Sequence, residues 1–146
     1  MTTATHLFKL LEDINLSRPS NFSGIGLLLY KKNSSQLPIT SLNSQPFDIK
    51  LPIVHYDKIL NTLLQVSITT SRYHDGFHLI NEDFELTHIS QFVSPPIKSP
   101  LNIKLFRGGS RYATSIYSSL LKNVIATGVL SLNYGPYVFV DGKSII

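Results

Sequence analysis

Two stretches of the chain carry apolar residues at the three- and four-residue spacing that lines one face of a helix. The first covers residues 3–16, and the second begins at His55. A third helix is predicted after the paired glycines of RGGSRYATSIYSSLLKN, with Ser110 as its cap. The apolar positions of the first two helices are Leu7, Leu10, Leu11, Ile14, Ile59, Leu60, Leu63 and Leu64.

Short apolar runs bounded by turn residues predict the strands between these helices. They are GIGLLLYKK, FHLI, FELTHIS, VIATGVLSL and YVFVDGKSI, with turns at NED and NYGP, whereas residues 41–54 are predicted to be irregular or extended. The order α-β-α-β-β-α-β-β predicts an α/β fold in which helices flank a central mixed β-sheet. We expect a single domain over residues 1–146, with an N-terminal helix at 1–18 and a core at 24–146.

Composition and charge narrow the classes of function. Of the 146 residues, 42% are hydrophobic and 15% are charged, which is typical of a folded domain and not of a disordered chain. The formal charge of +4 mildly favours an anionic ligand, but the basic residues are too scattered for a DNA-binding face. The lack of cysteine excludes disulfides, thiolate metal sites and a cysteine nucleophile.

The sequence also bears on location. The N-terminal stretch MTTATHLFKLLEDINL is interrupted by Lys9, Glu12 and Asp13 and has no apolar core of signal-peptide length. The longest apolar run, GIGLLLY, is far shorter than a membrane span. We therefore expect a cytoplasmic protein with no membrane partner.

The segment GGSR, residues 108–111, has the chemistry of a phosphate-binding loop. Its glycines allow a backbone to approach an anion, and the helix that follows offers free N–H groups at its positive end. Ser110 can supply a hydroxyl and Arg111 a two-pronged guanidinium. An ordinary glycine loop with a serine cap explains the same residues, and short glycine motifs are often found without a ligand.

The segment SRYHDGFHLI places His74, Asp75 and Gly76 just ahead of an apolar strand. A carboxylate beside an imidazole can hold Mg²⁺ or Mn²⁺ that bridges to phosphates. A turn that uses Asp-Gly for its unusual backbone angles is the other explanation. His74 and His78 would point to one face of an extended strand, with His88 on the next strand, but no further ligand completes a zinc site.

Taken in order, four segments resemble the diadenylate cyclase domain, the catalytic module that makes cyclic di-AMP from two ATP molecules. GIGLLLY resembles the family's GALIVIE-type strand, and VHYDKILNTLLQVSITTSRYHDGFHLI resembles its helix followed by LHDGAVII. GGSRYATS lies where the family has G-T-R-H-R-A-A, and VIATGVLSLNYGPYVFVDGKSI is similar to AVVIVVSEETGAISLAVNGKL. The resemblance covers most of the chain and implies a diadenylate-cyclase-like fold.

The resemblance also implies a nucleotide site. His74 and Asp75 match the family's metal- and ATP-contacting pair, so Mg²⁺ or Mn²⁺ is the expected cofactor together with a nucleotide. In an active enzyme Asp75 would be the catalytic residue. The implied nucleotide- and phosphate-binding residues are Asp75, Gly76, Phe77, Gly109, Ser110, Arg111 and Ser131.

Three departures from the family pattern bear on activity. The second arginine of Arg-His-Arg is replaced by Ala113, the two glutamates of Ser-Glu-Glu by Leu132 and Asn133, and a small residue by Phe77, which we expect to narrow the pocket. Loss of preorganised charge costs turnover more than it costs binding. The sequence therefore predicts a catalytically impaired, sensor-like nucleotide-binding domain.

Two other functions are compatible with the sequence: an active diadenylate cyclase, and an interaction module without catalysis. The expected partner is an ATP-like nucleotide or a molecule derived from one, and not DNA. A homo-oligomer or a separate effector protein is compatible with all three functions.

Overall fold

The computed structural model of the chain describes residues 3–33, 36–43, 48–96 and 109–145. Within these residues the elements are α1 (Thr3–Ser17), β1 (Ile25–Tyr30), β2 (Ile39–Ser41), α2 (Tyr56–Val66), β3 (Phe77–Asn81), β4 (Leu86–Val93), α3 (Ser110–Ser118), β5 (Val124–Leu130), β6 (Tyr137–Val140) and β7 (Lys143–Ser144). The predicted helices and strands are all present. The prediction missed β2, which is too short to show an alternating pattern, and it merged β6 with β7 across the turn at Asp141 and Gly142.

The strands form one seven-stranded sheet in the order β2-β4-β3-β1-β5-β6-β7. The pairing of β1 with β3 is parallel, and the other pairings are antiparallel. This is a single mixed α/β domain whose sheet is flanked by three helices, so the predicted fold class is confirmed.

The central strand β1 is buried on both faces, which explains its continuous apolar sequence. Leu27 and Leu29 belong to the core that includes the buried faces of α1 and α2. Leu28, one position out of step, packs on the opposite face with Leu79 and Val124. The α3 helix covers that second face through Tyr112 and Ile116, which cluster with Val129 and Phe139. The four apolar residues predicted on α1 are fully buried: Leu7, Leu10, Leu11 and Ile14.

The start of α3 differs from the prediction. Gly109 is the N-cap residue and has φ +78°, and no side chain caps the helix. Ser110, predicted to be the cap, is the first residue of the helix instead. Ser110 is exposed beside the cavity described below, and the first N–H groups of a helix have no partner within the helix itself.

Among the helices in the described residues, none has the length and apolar character needed to cross a membrane.

Candidate functional site

A cavity of about 700 Å³ opens where β3 begins, β5 ends and α3 begins. We call it the loop cavity. It has three walls, formed by residues 75–77, residues 109–111 and residues 130–134, and residues 91–93 of β4 complete it. All seven residues implied as nucleotide ligands by the sequence line it: Asp75, Gly76, Phe77, Gly109, Ser110, Arg111 and Ser131. Segments far apart in the sequence are therefore brought together at one place.

The first wall depends on glycine at position 76. Gly76 has φ +81°, and a Cβ there would lie 2.6 Å from the backbone oxygen of Gln91. The backbone can therefore pass close to β4 only without a side chain. The Ser90 hydroxyl donates a hydrogen bond of 3.2 Å to the carbonyl oxygen of Asp75 and holds this turn against β4.

Phe77 lines the cavity, but most of its side chain is packed inside the protein. Its side chain is 3% exposed, and its ring lies against Gly26 on the neighbouring strand, where a Cβ would lie 2.8 Å from the ring. The missing side chain of Gly26 makes room for the ring, so the larger residue is accommodated inside the sheet layer. Phe77 lines the cavity as part of its apolar floor.

Arg111 is held by the backbone of two other segments. Its Nη1 donates to the carbonyl oxygen of Ser23 at 3.2 Å, and its Nη2 donates to that of His74 at 2.6 Å. Burial lowers the pKa of Arg111, while the negative charge of Asp75 opposes that shift. These contacts could not be expected from the sequence, because a single sequence does not show which carbonyl groups surround a helix start.

His74 and Asp75 lie side by side at the edge of the cavity. His74 Nδ1 is 3.5 Å from Asp75 Oδ1, and the Asp75 side chain is 73% exposed. His74 precedes β3 and does not share a strand face with His78, so that expectation is wrong. His78 is buried, and its Nδ1 accepts a hydrogen bond from the Ser90 amide at 3.1 Å.

The donor set limits how a metal could bind here. Among the described residues no three His, Asp or Glu side chains are arranged so that they could hold a metal ion, and the remaining positions of the sequence contain none of these residue types. The acidic residues of the NED turn cannot complete a metal site in the cavity, because they lie at the far end of β3. There Glu82 accepts a hydrogen bond from the Lys32 amide, and Asp83 forms an ion pair with Lys32. His74 and Asp75 could hold Mg²⁺ or Mn²⁺ only if phosphates and water supplied the other ligands.

Sequence reasoning missed much of the remaining lining. Phe92 projects from β4 with 54% of its surface exposed, whereas Gln91 beside it is 4% exposed and donates from Nε2 to the Ile89 carbonyl. Leu42, Thr114 and Tyr134 also line the cavity. The predicted hairpin could have pointed to Gln91 as a lining residue, because it places β3 and β4 side by side and Phe77 pairs with Gln91 across them.

The third wall is tied to the end of α1. Arg18 Nη1 donates to the carbonyl oxygen of Ser131 at 3.1 Å, and the Ser131 amide donates to the Tyr134 carbonyl. Burial raises the pKa of Tyr134, and the charge of Arg111 opposes that shift. The Tyr134 ring meets Tyr112 edge-on at 5.6 Å. The wall is therefore fixed by backbone and aromatic contacts, without a carboxylate at positions 132 and 133.

Comparison with known proteins shows the fold. No family model and no curated protein matches the chain. A solved hypothetical membrane-spanning protein from Bacillus cereus matches with TM-score 0.67 and 12% identity, over 98% of this chain and 62% of that one. DacA from Staphylococcus aureus matches with TM-score 0.62 and 16% identity, over 97% of this chain and 83% of that one.

The fold is thus similar to that of DacA, a diadenylate cyclase. This supports the expected diadenylate-cyclase-like fold, and at 12–16% identity the likeness extends to the fold alone. This chain spans 62% of the length of the Bacillus cereus protein.

Proposed function

We propose that this domain binds a nucleotide in the loop cavity and acts as a sensor, with little or no cyclase turnover. The observation that carries the proposal is the convergence of the three predicted ligand segments on one cavity. A cavity of about 700 Å³ lies within the usual range for small-molecule sites. The likeness of the fold to DacA agrees with a nucleotide-related role.

The phosphate end of the ligand is assigned to the start of α3. Apart from the chain neighbours of Gly109, no described residue has an atom within 4 Å of a Cβ built there, so an anion can approach the backbone. The first N–H groups of the helix and the Ser110 hydroxyl are suitable donors, and Arg111 adds positive charge to the same wall. The backbone donors and the hydroxyl can bind the same group, and the nearby charge of Arg111 attracts it, which a glycine loop alone would not provide.

The base end is assigned to the apolar and aromatic side of the cavity. Phe92 presents a half-exposed ring at the rim, and stacking of a base on an aromatic ring contributes roughly 1–3 kcal/mol. Gln91, the preceding residue of β4, is buried, and its amide already donates to the Ile89 carbonyl. The exposed aromatic ring of Phe92 therefore carries the preference for a flat heteroaromatic ligand over a purely anionic one.

Turnover requires more than this cavity offers. Closing a phosphodiester bond concentrates charge on the reacting phosphate, and each missing donor costs on the order of 10²–10³ in rate. Ala113, Leu132 and Asn133 stand where the resemblance places an arginine and two glutamates. Asp75 is the one carboxylate in the described lining, which favours binding without catalysis.

Cyclase activity is the second candidate, because the exposed carboxylate of Asp75 faces the cavity that would hold ATP. In that case Asp75, with His74 beside it, would hold the divalent ion. The ion would supply charge neutralisation for the phosphates.

Calorimetry with adenosine, AMP and ATP tests the proposed function. We expect saturable binding that weakens about tenfold or more in Phe92→Ala, since the stacking surface is removed. Val54→Ala is the matched control, because Val54 is exposed to a similar degree and lies outside the cavity lining. The proposal fails if none of the three ligands binds, or if both variants bind them equally well.

A further inference from the structure

We propose that Arg111 is a positioning residue that ties the first wall of the loop cavity to the segment before β1. In this role its guanidinium holds protein backbone and does not serve mainly as a ligand for phosphate. The effect on affinity rests on the proposed nucleotide-binding function, whereas the effect on the backbone does not.

The two hydrogen bonds of Arg111 join parts of the chain that are distant in sequence. Nη1 binds the Ser23 carbonyl just before β1, and Nη2 binds the His74 carbonyl just before Asp75. Hydrogen bonds from an ionised donor are stronger than those between neutral groups. One side chain at the start of α3 therefore links the two turns that lead into the paired parallel strands β1 and β3.

The segment before β1 is shaped to admit this guanidinium. Gly24 has φ +98°, and a Cβ there would lie 2.9 Å from Arg111 Nη1. Any other residue at this position would push against the arginine while adopting an unfavourable backbone angle. Gly24 and Arg111 are therefore complementary, and this match serves a contact inside the protein.

The hydrogen bond from Arg111 to the His74 carbonyl is the contact through which Arg111 affects the cavity. On one side of the turn Arg111 holds His74, and on the other the Ser90 hydroxyl holds the Asp75 carbonyl. The turn is thus fixed at two successive carbonyl groups, and Gly76 follows at once. The position of the Asp75 carboxylate and of the Phe77 floor depends on both attachments.

The arrangement also explains why lysine should not replace this arginine. A guanidinium presents separate donors in a rigid planar fork, which reaches two carbonyls in different directions. A lysine ammonium is a single point charge on a flexible stem. Arg111→Lys therefore preserves the charge near the cavity but gives up the geometry of the bridge.

The first measurement uses the unaltered protein without ligand. We expect the Arg111 side-chain N–H groups to give ordered, slowly exchanging signals in ¹⁵N-resolved NMR spectra, because two donors are engaged by carbonyls. An Arg111 side chain that rotates freely without ligand and becomes ordered only when AMP is added would overturn the proposal.

The second measurement compares Arg111→Lys with wild type by calorimetry and by hydrogen exchange. We expect the affinities for adenosine and for AMP to fall by the same factor, about tenfold, with faster exchange at residues 23–24 and 74–77. Loss of affinity for AMP alone, with unchanged hydrogen exchange, would show that Arg111 binds the phosphate and would refute the proposed positioning role.

Arg18→Lys is the matched control, since Arg18 also donates to a cavity-wall carbonyl, that of Ser131. Its effect on exchange should be confined to residues 131–134. If wild-type protein binds neither adenosine nor AMP, the proposed function fails, while the NMR and exchange results still decide the role of Arg111.

Discussion

At the scale of single residues, two glycines of the loop cavity share a backbone angle but differ in surroundings. Gly76 has φ +81° and Gly109 has φ +78°. A Cβ at Gly76 would meet the Gln91 carbonyl oxygen at 2.6 Å and Leu42 Cδ1 at 2.7 Å, whereas at Gly109 no described residue other than its chain neighbours comes within 4 Å. The pair therefore separates the cost of the backbone angle from the cost of close packing.

Gly76→Ala should lower the free energy of unfolding by about 2–4 kcal/mol, because backbone strain of roughly 1 kcal/mol adds to a clash of about 1–3 kcal/mol. Gly109→Ala should lower it by about 1–3 kcal/mol, from strain alone, because φ +78° with ψ 153° is a backbone region almost confined to glycine. Urea denaturation of both variants measures the difference. Equal losses would show that the turn at Gly76 can move away from β4.

A second residue, His78, is a neutral histidine inside the core. Burial lowers its pKa to about 3, with the positive charge of Arg111 acting in the same direction. An unfolded histidine has a pKa near 6.5. Below that pH the unfolded chain gains a proton that the folded chain does not, so the contribution of His78 to stability is lost as the pH falls toward 3.

The stability of the protein should therefore decline with a slope of up to about 1.4 kcal/mol per pH unit from His78 between pH 6.5 and about 3. His78→Gln should decline less steeply than wild type over this window, since glutamine does not titrate. Urea denaturation between pH 7 and pH 4 tests this, with the exposed His55→Gln as control. A slope unchanged by His78→Gln would show that the imidazole is protonated in the fold.

At the scale of elements, α2 shows how an apolar face becomes part of the core. Ile59, Leu63 and Val66 are buried on one side of the helix, while Gln65 between them is exposed. Leu60 and Leu64, predicted on the same apolar face, are only half-buried. The helical period identifies the face correctly, but its edges depend on how far the neighbouring elements extend.

Leu63→Ala should lower the free energy of unfolding by about 2–5 kcal/mol, because a fully buried leucine leaves a cavity when truncated. Gln65→Ala, on the exposed face of the same helix, should change it by less than about 0.5 kcal/mol. Thermal and urea denaturation of the two variants test the orientation of α2. Similar losses in both variants would contradict it.

The elements also show where prediction from sequence stops. Helical periodicity located α1 and α2, and apolar runs bounded by turns located β1 and β3. The contacts of Arg111 could not be predicted, because its acceptors, Ser23 and His74, are backbone groups that carry no signal in the sequence. The accommodation of Phe77 depends on Gly26 of a neighbouring strand, which only the sheet register reveals.

At the scale of the whole molecule, the fold is similar to that of DacA, and its loop cavity contains the residues that the sequence resemblance pointed to. The positions of the cavity residues were predictable because their order along the chain follows a known pattern. Phe92 and Tyr134 were not, since an exposed aromatic residue in a strand or loop has no distinctive spacing.

The wild-type protein should form no cyclic di-AMP from ATP and Mn²⁺ above a control without protein, because Ala113, Leu132 and Asn133 supply no charge to the reacting phosphates. Mass spectrometry of the nucleotides provides the measurement. Product that increases with protein concentration and disappears in Asp75→Asn would establish the domain as an enzyme.

The central position of β1 has a consequence for how the chain comes to be folded. The strand is made early, yet β3 pairs with it only after residue 77 and β5 only from residue 124 onward. During synthesis Leu27, Leu28 and Leu29 therefore lack a partner on one edge until most of the domain has left the ribosome. We expect nascent chains that end before Val124 to depend on chaperones. Until β5 is available, the unpaired edge of this apolar strand can pair with strands of other polypeptides.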